Sequence, residues 1–242
     1  MTETLDIFYF KQFQVIQRPN VMKVGTDGVL LGAVAHHPQP KTILDIGTGS
    51  GLIAMMVAQS HSQAEIHAID ISQDAIDLAR TNFENSPFKT RLKAFAIGVS
   101  DFAETRPTAY DLIVSNPPFF SGGNFSPSAY KNLMRQTFQL SHQDLLRSVH
   151  KLLGADGVFW VILPHLEGLR FVEMARFYNL QHNTTVKVIS RADKPIERLI
   201  LKFSHQKETF YEDTLYIHLS ENNEYSPDYI AKTKNFYPFM PD

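Results

Sequence analysis

The chain has 242 residues and a mass of 27.5 kDa, which is room for one large domain or one domain with a small appendage. Hydrophobic residues make up 43% of it and charged residues 20%, which excludes a disordered or fibrous chain. There is no cysteine. Thiolate catalysis, cysteine-ligated zinc, iron–sulfur clusters and disulfides are therefore excluded.

Apolar runs in the chain are short. The longest near the start covers residues 28–35, too few to cross a bilayer, and charged residues interrupt the first twenty positions, unlike a signal peptide. The histidines show no spacing typical of metal ligands. We therefore expect a soluble, cytoplasmic protein with no metal, no membrane contact and no obligate protein partner.

Hydrophobic periodicity predicts alternating strands and helices. Ser72 and Ser141 are each placed to cap a helix. The predicted strands cover residues 42–45, 65–70, 92–97, 111–114 and 158–163, with helices at 52–59, after Ser72, after Ser141 and at 167–178, and a late antiparallel pair at 185–189 and 199–203. This alternation predicts an α/β fold, with a doubly wound, mainly parallel sheet and a terminal antiparallel strand.

A glycine-rich turn follows the first of these strands. The segment begins at Asp45 and includes Gly47 and Gly49, and the next strand ends at Asp70. Glycines let the backbone approach an adenosyl group, and a carboxylate at Asp70 can accept both ribose hydroxyls. An acid leading the turn suits a ligand with a cationic amine better than a pyrophosphate, which disfavours an NAD-dependent oxidoreductase. Asp70 read alone could equally be a helix cap or a solvent-facing acid.

The fourth strand leads into Asn116-Pro117-Pro118-Phe119, at the same predicted edge of the sheet. The prolines fix the backbone and donate no hydrogen bonds, so Asn116 and the Pro117 carbonyl can both accept from one amino group. Phe119 can stack on a planar group held there. The alternative is a rigid turn with no chemical role.

Three stretches contain basic residues, aromatic residues and no acid: 7–26, 112–143 and 229–241. This combination is typical of surfaces that bind single-stranded nucleic acid, although the net charge is −2. We expect the stretches to gather at the mouth of the crevice, with Lys11, Lys23, Lys131 and Arg135 as RNA contacts. The alternative is that the cations are scattered and the aromatics belong to the core.

Together these motifs resemble the class I S-adenosylmethionine-dependent methyltransferases that modify exocyclic or amide nitrogens. Residues 10–13, 22–32 and 235–240 further resemble the bacterial family of adenine-N6 methyltransferases that act on valine tRNA next to the anticodon. The resemblance implies a Rossmann-like, three-layer fold, S-adenosylmethionine as cofactor and tRNA as partner. It implies a single domain over 1–242, divided into an N-terminal cover segment (1–40), a catalytic core (41–205) and a C-terminal extension (206–242).

The resemblance also implies residue roles. Asp45, Gly47 and Gly49 would hold the methionine end of the cofactor, and Thr26 and Asp27 would close over it. Asp70 would bind the ribose and Ile71 would pack on the adenine. The target base would be held by Asn116, Pro117 and Phe119. The family usually has an acid after the third strand, where this chain has Gly98. Either backbone groups of Gly98 and Val99 bind the cofactor's adenine, or Asp101 does.

Other functions share parts of this pattern. A glutamine methyltransferase of release factors uses the same Asn-Pro-Pro-aromatic motif, but we expect the 44 residues before Asp45 to be too few for its helical recognition domain. An adenine methyltransferase of another RNA or of DNA, and a non-catalytic cofactor- or RNA-binding module, remain alternatives.

Overall fold

The computed structural model describes residues 6–105, 109–118, 140–219 and 224–241. Its ten strands are β1 Asp6–Tyr9, β2 Gln14–Gln17, β3 Thr42–Ile46, β4 Glu65–Asp70, β5 Leu92–Ala96, β6 Tyr110–Ser115, β7 Leu153–Pro164, β8 Gln181–Ile189, β9 Arg198–Ser204 and β10 Tyr211–Tyr216. The helices in the same ranges are α1 Thr26–Val34, α2 Leu52–Ser60, α3 Gln73–Glu84, α4 Val99–Thr105, α5 His142–Leu152, α6 His165–Ala175 and α7 Pro227–Thr233, with 3-10 turns at Lys89–Arg91 and Arg176–Tyr178.

The main sheet has the order β10-β8-β9-β7-β6-β3-β4-β5. Neighbouring strands pair in parallel except around β9, which runs antiparallel to both β7 and β8. The predicted mainly parallel sheet and its late antiparallel strand are therefore confirmed. The sequence did not predict β10, which carries the sheet past residue 205.

Side chains alternate between two cores across this sheet. Ile43 of β3 and Leu112 of β6 pack with α1, α2 and α3 on one face, while Leu44 and Ile113 pack with α4, α5 and α6 on the other. A strand buried on both faces shows this continuous apolar pattern. The arrangement is the three-layer sandwich that the sequence indicated.

Strand direction determines where polar groups collect. All the parallel strands end at one edge of the sheet, and ligands of such folds bind in the crevice outside these carboxyl ends. Ser72 and Ser141 cap α3 and α5 by accepting from the N–H groups of Ala75 and Asp144, as expected. The structure shows no helix, among its described residues, that is long and apolar enough to cross a membrane.

Candidate active site

The glycine turn after β3 forms one wall of the crevice. Gly47, Gly49 and Gly51 have φ angles of +75°, +55° and +84°, a region that side chains with a Cβ rarely adopt. A Cβ on Gly47 would meet nothing within 4 Å, so this face is open, whereas a Cβ on Gly51 would lie 2.5 Å from the Phe83 ring. Gly47 thus keeps the wall accessible, and Gly51 lets the turn pack on α3.

Asp45 lies beneath the turn and is fully buried. Its Oδ2 accepts from the Thr48 hydroxyl at 2.6 Å and from the Ala54 N–H at 3.1 Å, which fixes the turn to the start of α2. Its Oδ1 is buried with no partner among the described residues. Burial raises the pKa of Asp45 to about 7, since the charged form is poorly solvated there. The carboxyl group is behind the crevice surface, so its expected contact with the cofactor stays a prediction.

Asp70 at the end of β4 faces the crevice directly. Its Oδ2 accepts from the Gly49 N–H at 3.0 Å, and its Oδ1 accepts from the Ser72 N–H at 2.9 Å. Burial is the main cause that raises its pKa. A carboxylate has about four acceptor positions, so Asp70 retains capacity for further donors after these two bonds.

A cavity of about 1070 Å³ opens at this edge of the sheet. Of the residues singled out in the sequence, those that line it are Lys23, Thr26, Asp27, Gly47, Gly49, Asp70, Ile71, Gly98, Val99, Asn116 and Pro118. Ile71 is 52% exposed, an apolar surface suited to stacking on a flat ring. The volume exceeds the usual range of about 300–1,000 Å³ for a small-molecule site.

Asn116 stands at the end of β6, the strand next to β3. The preceding Ser115 hydroxyl donates to the Ile46 carbonyl at 2.9 Å, which fixes this end of the strand. Asn116 Oδ1 is buried and has no partner among the described residues. Buried polar atoms are almost always paired, so this oxygen is suited to accept from a ligand that enters the cavity. Pro117 is buried, and Phe119 lies outside the described residues.

Residues after β5 form a further part of the crevice, where the cofactor's adenine is expected. Gly98 and Val99 line the cavity, while Asp101 is exposed on α4 and faces a small separate groove with Arg147. A Cβ on Gly98 would lie 4.0 Å from Asp101 Oδ2, so the backbone groups and Asp101 both stay predictions.

The three acid-free stretches lie in different surroundings, as far as the structure describes them. Lys23 lines the cavity and pairs with Asp6 at 2.7 Å, but the Lys11 N–H donates to Phe236 O, near the end of α2 that points away from the cavity. The aromatics Phe10, Phe13, Phe236 and Tyr237 are buried against one another and α1. These aromatics therefore belong to the core, and RNA contact by Lys11 and by the tail stays a prediction. Lys131 and Arg135 lie outside the described residues.

Other residues of the site carried no sequence signal that we used. Asn82 is buried in α3 and bonds Ile16 N and O and Ser50 O at 2.8 to 3.1 Å, which ties the N-terminal hairpin to the glycine turn. Arg198 and Asp27 form an ion pair at 2.8 Å in the cavity wall. The cluster of cations in residues 191–198 was the sequence signal that could have indicated the ion pair of Arg198 with Asp27.

Comparison with known proteins gives consistent results. The methyltransferase small domain family matches residues 22–185. A tRNA1(Val) (adenine(37)-N6)-methyltransferase of Pectobacterium carotovorum is 41% identical, over 99% of this chain and 97% of its own, and one of Flavobacterium psychrophilum is 39% identical, over 96% and 99%. A structure titled a predicted O-methyltransferase, from Agrobacterium tumefaciens, aligns with a TM-score of 0.67 at 16% identity, covering 87% of this chain and 95% of that one. A TehB-like SAM-dependent methyltransferase from Corynebacterium glutamicum aligns at 0.52 and 23% identity, covering 75% and 89%.

The sheet order, the glycine turn and the acid at the end of β4 define a class I methyltransferase that uses S-adenosylmethionine. The site fits this cofactor: an open glycine wall and a carboxylate at the end of the next strand suit an adenosyl ligand. The near-complete match at about two-fifths identity is decisive for the subgroup. This chain belongs to the family of tRNA1(Val) (adenine(37)-N6)-methyltransferases.

Proposed function

We propose that this protein transfers the methyl group of S-adenosylmethionine to N6 of adenosine 37 in valine tRNA. The observation that carries the proposal is Asn116, which lines the cavity and whose buried Oδ1 has no partner among the described residues. The relatives' names supply the nucleotide and the tRNA species.

In this proposal the cofactor is held by the β3 and β4 ends. Gly47 and Gly49 give its methionyl part access to backbone, Thr26 lies on the opposite wall, Asp70 accepts from the ribose, and Ile71 packs on the adenine beside Gly98 and Val99. Asp45 acts from beneath by fixing the turn through Thr48 and Ala54. The bound cofactor supplies a methyl group that is already activated toward nucleophiles.

The chain's own part in the reaction is orientation. Asn116 Oδ1 and the Pro117 carbonyl accept the two N–H bonds of the target amine, which reduces conjugation of its lone pair with the ring and aims it into the cavity. A base inside a folded RNA must leave its stack to reach them. Phe119 stacks on the flipped base. This geometry requires no nucleophilic side chain and no strong base.

The test is methylation of tRNA from cells that lack the gene, followed by nucleoside mass spectrometry of isolated valine tRNA. We expect N6-methyladenosine at position 37 with wild-type protein and none with Asn116→Ala, while S-adenosylmethionine affinity stays unchanged. Asn85→Ala, the same substitution at an exposed helix end, is the control. Full activity of Asn116→Ala, or modification only of DNA, of another RNA or of a protein, would refute the proposal.

A further inference from the structure

The cavity extends well beyond the residues assigned to the cofactor. Past Asn116 it continues along the sheet edge to β9, β8 and β10, where Val188, Ser190, Arg198 and Ile217 form its wall. With strands about 4.8 Å apart, Arg198 on β9 lies roughly 10 Å along the edge from β6, and twice as far from β4. This half of the cavity is therefore placed to hold what is attached to the target base.

Arg198 is built into that wall. Its Nε donates to Asp27 Oδ2 at 2.8 Å, its Nη1 donates to the Glu197 carbonyl at 3.1 Å, and the two ion-paired side chains are only 26% and 24% exposed. Two bonds in different directions fix the plane of the guanidinium. A fixed guanidinium is the group best matched to a phosphate, because its planar fork presents several N–H donors.

Charge differs between the two ends of the crevice. The cofactor end carries Asp70 and Asp74 on its wall, with Asp101 exposed on the adjoining helix α4. At the other end, the turn carries Arg191, Lys194 and Arg198 against Asp193 and Glu197, and Arg198 pairs with Asp27, so its charges cancel. A polyanion is therefore repelled less at the turn than beside Asp70 and Asp74.

We propose that the β8–β9 turn, residues 190–198, is the phosphate-binding wall of the acceptor site, with Arg198 contacting the backbone phosphate of the target nucleotide. Asp27 is a positioning residue that sets the direction of the guanidinium. Strand spacing places the wall roughly 10 Å from β6, within reach of the phosphate of a nucleotide whose base is held at Asn116. The inference rests on the proposed function and locates its substrate, so that the RNA enters over β8–β9 and not over α3 and α4.

The chain offers a matched control on the same strand. Lys202 is four residues from Arg198, so its side chain is on the same face of β9, and it is also paired with one carboxylate, Glu208, at 2.6 Å. It lies about 13 Å farther down the strand, away from the cavity. Arg198→Gln and Lys202→Gln thus remove equivalent charges inside and outside the proposed wall.

The experiment measures tRNA binding, tRNA KM and S-adenosylmethionine binding for both variants over a range of salt. We expect Arg198→Gln to weaken tRNA binding and raise its KM about tenfold or more, and to change cofactor affinity much less. When log affinity is plotted against log salt concentration, the slope for this variant should be shallower than that of wild type by about 0.7 to 0.9, the contribution of one phosphate contact. Arg191→Gln/Lys194→Gln should weaken binding and reduce the slope as well, and Lys202→Gln should match wild type.

Asp27→Asn tests the positioning role. It should weaken tRNA binding in the wild-type background but have no added effect on Arg198→Gln, because the guanidinium it directs is then absent. Arg198→Lys, which keeps the charge and loses the fork, should recover the salt slope without full affinity, and it replaces Arg198→Gln should that variant fail to fold.

An unchanged tRNA KM and salt slope in folded Arg198→Gln, or an unchanged tRNA affinity in folded Arg198→Lys, with wild-type protein active on tRNA, would overturn this inference alone. Wild-type protein that neither binds nor methylates tRNA would overturn the proposed function together with it. The two failures are therefore distinguishable.

Discussion

At the scale of single residues, two carboxylates near the ends of adjacent strands have different roles. Asp45 ends up beneath the glycine turn with its charge sealed from solvent, while Asp70 holds Gly49 and still faces the cavity. The difference follows from the register of the strands: Asp45 pairs with Ala68, so Asp70 lies on the same face but two residues nearer the carboxyl edge, where the cavity opens. One acid supports the turn and the other is placed to meet the ligand.

The buried state of Asp45 predicts a pH dependence of stability. Its pKa is about 7 in the folded protein against 3.8 for an exposed aspartate, so between these values the native state retains a proton that the unfolded chain has lost. This contribution to the free energy of unfolding is complete below about pH 4 and is lost as pH rises through about 7.

Asp45→Asn removes this titration while keeping the side-chain shape. We expect the free energy of unfolding of the variant, measured with denaturant from pH 4.5 to 8, to decline less with pH than that of wild type. Identical pH profiles for the two proteins would show that Asp45 does not titrate in this range.

Asp70 predicts a binding effect. Asp70→Asn should weaken the binding of S-adenosylmethionine by about 1.5–3 kcal/mol, the scale of a lost charge-assisted hydrogen bond. The binding of S-adenosylhomocysteine, which has the same ribose, should weaken by the same amount when it is measured by calorimetry. Asp77→Asn, at an exposed acid one turn along α3, is the control, and equal affinities for both variants would exclude the ribose contact.

At the scale of elements, glycines determine how closely helices and turns approach. α1 crosses α2 at Gly28 and Gly32, where an added Cβ would lie 3.0 Å from Leu52 and 2.7 Å from the Met56 sulfur. The close contact places the start of α1, with Thr26 and Asp27, over the cavity. The glycines of residues 25–32, which the sequence alone marked only by resemblance, therefore have a packing role.

The two glycines at either end of the β3–α2 turn predict separable effects. Gly47→Ala places a methyl group in open space, so its cost in stability is only that of a left-handed backbone, about 1–2 kcal/mol. The methyl group does, however, reduce the space for the cofactor beside this wall. Gly51→Ala adds the same backbone cost and a clash with buried Phe83.

We expect Gly51→Ala to lower the melting temperature more than Gly47→Ala does. Relative to the drop in melting temperature that each variant shows, Gly47→Ala should lose more cofactor affinity than Gly51→Ala. Thermal melts and calorimetry on the same preparations measure both quantities. The reverse order of melting temperatures would contradict the packing assigned to Gly51.

At the scale of the whole molecule, the two ends of the chain complete one core. β1 and β2 pair with each other, Phe10 stacks on Tyr237 at 5.8 Å between ring centroids, and the Gln59 amide donates to the Asn235 carbonyl. These contacts join the N-terminal hairpin, the tail and α2. The tail is therefore part of the fold, whatever its lysines contact.

The tail predicts a stability contrast between two phenylalanines three residues apart. Phe236 is 4% exposed and Phe239 is 61% exposed. Phe236→Ala should cost about 3–5 kcal/mol of unfolding free energy through lost burial and a cavity, while Phe239→Ala should cost less than about 1 kcal/mol. Denaturant unfolding measures both, and equal losses would contradict the burial described for the tail.

Local sequence patterns determined the layered α/β core. Strands β3 to β7, the helix caps and the two motifs at the sheet edge follow from periodicity, serine positions and turn residues that act within a few positions of one another. Because parallel strands place their carboxyl ends together, the meeting of Gly47, Asp70 and Asn116 in one cavity was predictable as well.

Only the tertiary structure decided which distant segments meet. The insertion of β9 between β7 and β8, the burial of Phe10 and Phe13 against the tail, and the pairing of Asp27 with Arg198 join residues as far apart as Phe10 and Tyr237 and leave no local pattern. A cation beside aromatics has the same composition whether its rings face RNA or the core. Whether those rings are buried depends on the apolar surface that other parts of the chain bring to them, and that surface exists only once the sheet has formed.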